Sequence, residues 1–220
     1  MCGRFALTHV AGFWARFAVP AQPSIELVPR FNIAPTQNVP IIVRESPNRA
    51  VMMRWGFVPF WAKDPKIGNR LINARAETVA TKPAFRVSFK RRRCLVPTTG
   101  FYEWKKSNDS KTPYYVHLKN DDLFAFAGIY DRWKDSDGNE LLSFAIITTD
   151  ANSLMKRIHN RMPVMIERED EETWLKEGVL DDEELAEILT PYPSGEMETY
   201  LVSKAVNNPR NESEELIRPV

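Results

Sequence analysis

At 220 residues, with 43% hydrophobic and 27% charged residues, the chain can bury one sizeable core, and this composition excludes disorder as the default. The 30 Lys and Arg against 29 Asp and Glu leave a net charge of +1, so bulk charge points to no nucleic-acid partner. No apolar run approaches a membrane span and no signal-type leader opens the chain, so Cys2 and Cys94 are expected as free thiols of a cytoplasmic protein without a membrane partner.

In chain order, Cys2 to Leu7 reads as a short strand and Val10 to Phe17 as one or two helical turns that stop before Pro20. Residues 21–40, punctuated by Pro23, Pro29, Pro35 and Pro40, are expected to be extended and irregular. Val39 to Val43 and Ala50 to Val58 are strand-like, whereas Trp55 to Trp61 has too many aromatics beside Gly and Pro for a plain strand. Lys82, Arg86, Lys90, Arg91, Arg92 and Arg93 form a basic stretch, and residues 167–187 and 211–215 are acid-rich. That asymmetry fits a positive face on a neutral protein or an ordinary solvated surface.

Leu95 to Trp104, Tyr114 to Leu118, Leu123 to Tyr130 and Leu141 to Thr148 are β-type runs. Turn signals at Asn108-Asp109 and Asp137-Gly138-Asn139 separate them, and the second predicts a hairpin. Thr149 or Asp150 is expected to cap a helix through Ile158, with Leu154 and Ile158 on one face. Glu171 to Lys176 and Asp181 to Leu189 predict two short acidic helices, and Thr199 to Val206 a late strand. With no repeat or composition break, the expectation is one β-rich α+β domain over residues 1–220.

The chemistry begins at Cys2. Removal of Met1 leaves a cysteine whose free α-amine has a reference pKa of about 7.7–8.0, beside its own thiol. Such a 1,2-aminothiol attacks an aldehyde through nitrogen and closes through sulfur into a thiazolidine, a ring closure favoured by proximity. The alternative is a small buried apolar side chain. Glu103, flanked by Phe101, Tyr102 and Trp104, is a candidate proton carrier if it is buried, or else an edge-strand partner of Lys105 or Lys106. His159, just beyond the expected helix, is either a proton shuttle favoured as the imidazolium or a structural hydrogen-bonder, while His9 and His117 lie in unremarkable contexts. Asn73 and Arg75 could orient a polar ligand and bind phosphate, or build a turn. Pro35, Phe60, Trp61 and Trp104 could stack on unpaired bases, or belong to the core. Cysteines and histidines lack the spacing of a metal site, and neither metal nor cofactor is expected.

Together, Met1-Cys-Gly-Arg-Phe5, Arg30-Phe-Asn-Ile-Ala-Pro35, Trp55-Gly56, Ile72-Asn-Ala-Arg-Ala-Glu77, Arg92-Arg-Cys-Leu95, Gly100-Phe-Tyr-Glu-Trp104, His159-Asn-Arg-Met-Pro163 and Val202-Ser-Lys-Ala-Val206 resemble the SOS response-associated peptidase (SRAP) family. The resemblance implies a single α+β, β-rich domain with a strongly curved, barrel-like antiparallel central sheet and short flanking helices. It further implies a protein, expected to be monomeric, that captures abasic sites in single-stranded DNA and at single-to-double-strand junctions as part of the DNA damage response. By that resemblance Cys2 forms the thiazolidine cross-link, Asn73 holds the adduct, and Glu103 and His159 move protons, with lyase and self-reversal activity following from the same chemistry. Arg4, Arg75 and Arg161 correspond to phosphate contacts, and Asn32, Pro35, Trp61 and Trp104 to the surface that steers the strand. The family sometimes has a second tryptophan after the position of Trp61, where this chain has Ala62. Two other readings are a cysteine peptidase with His159 as base, as the family name suggests, and a non-catalytic single-stranded DNA-binding module.

Overall fold

The computed structural model describes residues 2–45, 47–107, 110–120 and 122–220; Met1 and the turn signal Asn108-Asp109 lie outside them. The first half contributes β1 (Phe5–Leu7), α1 (Phe13–Arg16), β2 (Arg30–Ile33), β3 (Asn38–Val43), β4 (Arg49–Trp55), β5 (Asn73–Arg75), α2 (Ala76–Val79) and α3 (Arg86–Arg91). There follow β6 (Arg93–Thr98), β7 (Gly100–Ser107), β8 (Ser110–Leu118), β9 (Phe124–Lys134), β10 (Glu140–Asp150), β11 (Arg161–Pro163) and β12 (Met165–Ile166). The chain ends with α4 (Glu171–Leu175), α5 (Asp182–Ile188) and β13 (Met197–Leu201). Among the described residues no helix is long and apolar enough to cross a membrane.

Strands β10, β4, β3, β6 and β9 pair in that order, and β9 pairs back to β10, closing a barrel. The closed, curved sheet is the expected one, with one seam of opposite sense: β10 runs parallel to β4 through Ser143–Arg54 and Phe144–Trp55. A second sheet, β13-β8-β7-β1-β2, is antiparallel throughout. Its Phe5 and Phe101 meet the barrel's Phe126 edge-on at 6.1 and 5.7 Å, and Phe5 also meets Trp55 at 5.1 Å. Burying these rings, at about 25 cal/mol per Å² of apolar surface, seats the second sheet on the barrel.

The run Leu95 to Trp104 is two strands. Thr98 Oγ1 accepts from the Gly100 N–H, and the chain passes there from barrel to second sheet. Gly100 is required: a Cβ would sit 2.4 Å from the Tyr115 ring. The Asp137-Gly138-Asn139 hairpin forms between β9 and β10, with Asp135 accepting from the N–H groups of Asp137 and Asn139.

The helix expected from Thr149 to Ile158 does not form. Strand β10 extends to Asp150 because Thr148, Thr149 and Asp150 pair with Pro163, Met162 and Arg161. The cap moves to Asn152, whose Oδ1 accepts from the Met155 N–H, and only a 3-10 turn over Met155–Arg157 follows. Long-range strand pairing overrides the local capping signal. The late strand starts at Met197, and Lys204–Asn207 is a 3-10 turn. The 21–40 segment contains β2 as well as irregular chain. Helices α4 and α5 lie where expected, α5 with a capping box between Asp181 and Glu184.

Candidate active site

Cys2 and Glu103 meet through strand register. Phe5 pairs with Phe101 and Ala6 with Gly100, and the Tyr102 N–H donates to the Arg4 carbonyl at 2.9 Å. Continuing that register sets Gly3 opposite Glu103, one residue from Cys2. Both side chains are buried, Cys2 completely, and the Cys2 thiol donates weakly to the Arg4 carbonyl at 3.9 Å. Burial first, and then the negative charge of Glu103, push the Cys2 thiol up to about 12. A Glu103 oxygen accepts from the Trp104 N–H at 3.2 Å.

Strand β10 supplies the opposite wall. Its Ile146, Ile147 and Thr148 pair in parallel with Asn73, Ala74 and Arg75, and the same end of β10 pairs with β11. Asn73 Nδ2 donates to the Cys2 carbonyl at 2.8 Å, tying the two walls together. Asn73 Oδ1 is buried without a hydrogen-bond partner among the described residues. His159 precedes β11 by two residues, and its Nδ1 accepts from the Arg161 N–H at 3.0 Å. The same Nδ1 lies 3.3 Å from the Arg161 carbonyl, to which it can donate in the other tautomer. The helix expected to end before His159 does not form.

Glu103 and His159 line one cleft of ≈ 520 Å³ with Ile72, Trp104, Lys106, Lys111 and Asn207. The cleft is large enough for one nucleotide, with a buried carboxylate, an imidazole and an exposed pair of ammonium groups in its walls. Among these, Lys106, Lys111 and Asn207 were not anticipated. The first two flank a turn and read as ordinary hairpin charges. Asn207 reaches the cleft only because the Lys204–Asn207 turn folds back to accept the Trp104 indole N–H at 2.8 Å.

The chain matches the SOS response associated peptidase (SRAP) family over residues 1–209. It belongs to that family. It is 45% identical over 221 residues to "Abasic site processing protein YoqW" of Bacillus subtilis (strain 168), with 99% of each chain covered. It is 29% identical to "Abasic site processing protein HMCES" of Xenopus tropicalis, over 87% of this chain and 66% of that one. A crystallised protein from Bacteroides thetaiotaomicron superposes with a TM-score of 0.90 at 31% identity, covering 100% of both chains.

The remaining expected contacts of this SRAP chain separate into three groups. Trp61 is 50% exposed and Arg75 is exposed, so both are open to a ligand. Trp61 is mounted firmly: the Trp133 indole donates to the Ala62 carbonyl at 2.7 Å, and buried Asp131 accepts from the Phe60 N–H at 3.0 Å. Pro35 and Trp104 are partly exposed, Pro35 in a turn where Thr36 adopts a left-handed φ of 77°. Asn32 is fully buried, its Oδ1 accepting from Arg4 at 2.7 Å and its Nδ2 donating to the carbonyls of Asn208 and Asn211. It therefore acts behind the surface, by holding Arg4, and does not itself face a strand. Arg161 donates to Asp150 at 2.7 Å, to Glu77 at 3.0 Å and to the Thr148 carbonyl at 2.6 Å, so its fork is filled by the protein's own acceptors. The basic stretch is not one surface either. Arg93 is buried and donates to the carbonyls of Trp174, Phe89 and Gly178, and Arg92 pairs with Asp131 at 3.0 Å.

Proposed function

We propose that the protein processes abasic sites by capturing the ring-opened sugar covalently on Cys2, in single-stranded DNA and at its junctions with duplex. The observation that carries this reading is the position of Cys2, buried behind the cleft, held through its carbonyl by Asn73 and close to Glu103, which lines that cleft together with His159. The names of the relatives support the substrate class.

With Met1 removed, the neutral Cys2 amine attacks the C1′ aldehyde and water leaves, giving an imine. The thiol then adds across the C=N bond, sulfur to carbon and proton to nitrogen, which closes the thiazolidine without an oxidant or reductant. Nitrogen attacks first, because the ring can close through sulfur only once the imine carbon exists. In this reading Glu103 takes the S–H proton as the ring closes and passes it to the ring nitrogen, and His159 donates to the departing oxygen. Asn73 holds the nucleophile's backbone. Ring opening retraces these steps and regenerates the aldehyde, and the imine stage also permits β-elimination of the 3′ phosphate. A thiolate peptidase would need the opposite environment, a depressed thiol pKa beside an available imidazole base.

The test is intact-mass analysis after mixing the protein with a single-stranded oligonucleotide carrying one abasic site. The expected product is a denaturation-resistant one-to-one adduct, abolished in Cys2→Ala and slowed about 100-fold or more in Glu103→Gln. Absence of the adduct from protein whose N-terminus is verified as Cys2 overturns the reading.

A further inference from the structure

We infer that Lys106 and Lys111 form a cross-strand clamp for one backbone phosphate of the nucleic acid lying in the cleft. The inference rests on the reading above and names a binding element that the motif resemblance does not include. Strands β7 and β8 pair Tyr102 with Tyr115, Trp104 with Pro113 and Lys106 with Lys111. Alternation places these three pairs on one face, in rows about 6.7 Å apart. The rows grade from buried tyrosines through a partly exposed tryptophan to exposed lysines. Directly opposed lysines have Cβ atoms only about 4.5–5.5 Å apart, an unfavourable arrangement unless an anion lies between them. Neither forms a salt bridge among the described residues, and both line the same cleft as Glu103 and His159.

Two arginines that touch cleft residues already have protein acceptors. Arg161 is filled by Glu77, Asp150 and Thr148, and Arg4 uses one nitrogen on Asn32 and Val206. The clamp therefore suits a phosphodiester flanking the captured sugar, read without regard to base.

Full-length protein is titrated with an undamaged fluorescent single-stranded oligonucleotide at several salt concentrations. Each phosphate contact on a single strand contributes about 0.7 to the slope of log K against log salt. Lys106→Gln/Lys111→Gln should lower that slope by about 0.7 and weaken binding about tenfold at low salt. Lys106→Arg/Lys111→Arg should retain the wild-type slope. Lys105→Gln, which does not line the cleft, should also leave it unchanged. A double glutamine variant indistinguishable from Lys105→Gln, with wild-type melting, overturns the clamp. A slope lowered in the double glutamine variant, together with no adduct between wild-type protein and abasic DNA, overturns the capture reading and supports the clamp.

Discussion

Arg4, packed against Trp104, and Arg161, bonded to His159 through its backbone, are satisfied by different means. Arg4 is half-buried against neutral groups: the Asn32 amide, the Val206 carbonyl and the Trp104 ring, 5.9 Å away. Burial pulls it below the usual arginine range, and no carboxylate restores it. For Arg161 burial acts in the same direction, but Glu77 and Asp150 more than offset it and the net shift is upward. Hydrogen-bond occupancy and charge compensation are thus separate properties. Arg4 is fixed in place and still positive toward an approaching phosphate, whereas Arg161 is fixed and electrically quiet. The first suits steering a strand, the second suits anchoring β11 and the His159 segment beside it.

The sharpest way to break this contrast is Asn32→Ala. It strips Arg4 of its buried acceptor and leaves the Asn208 and Asn211 carbonyls without their donor, so stability should fall by about 2–3 kcal/mol and Tm by roughly 4–10 °C. Thermal melting measures it, and a loss under about 1 kcal/mol would mean Arg4 is held by something else. Arg161→Ala should cost less, about 1 kcal/mol, because Glu77 and Asp150 are 49% and 79% exposed and water takes over their solvation. If it proves the more destabilising of the two, the assignment of roles is reversed.

The smallest effect is a pH dependence. The Arg161 hydrogen bond is the main cause holding Glu77 below its usual value of 4.5. A depressed carboxylate stabilises the fold above its unfolded pKa, and that contribution is lost as pH falls through the folded value. The Tm difference between wild type and Glu77→Gln should be constant from pH 5 to 8 and should narrow below about pH 4.5. A difference that persists unchanged into strong acid would show that Glu77 acts by packing and not by charge.

Much of the strand content was legible because the β-type runs Val39–Val43, Tyr114–Leu118 and Leu141–Thr148, set off by turn residues, are a local property. The residues after Thr149 were misread for the reverse reason: a capping signal is local, whereas the pairing of Asp150 with Arg161 that overrides it is not. The same holds for Leu95 to Trp104, where the contact forbidding a side chain at Gly100 is made by Tyr115. Cys2, Asn73, Glu103 and His159 could be picked out by chemical type and motif. The cleft placement of Lys106 and Lys111 could not, since lysines beside a turn are usually solvated charges.

By itself, the order of residues determined which reactive groups exist: a cysteine at position 2, one carboxylate among aromatics, and a histidine in a polar motif. It also determined most strand segments, because both depend on side-chain type and short-range periodicity. Only the tertiary structure decided which arginines are neutralised, where Asn32 points and which lysines oppose each other across a cleft. Those properties depend on partners between 5 and 202 positions away, brought together by strand register and burial.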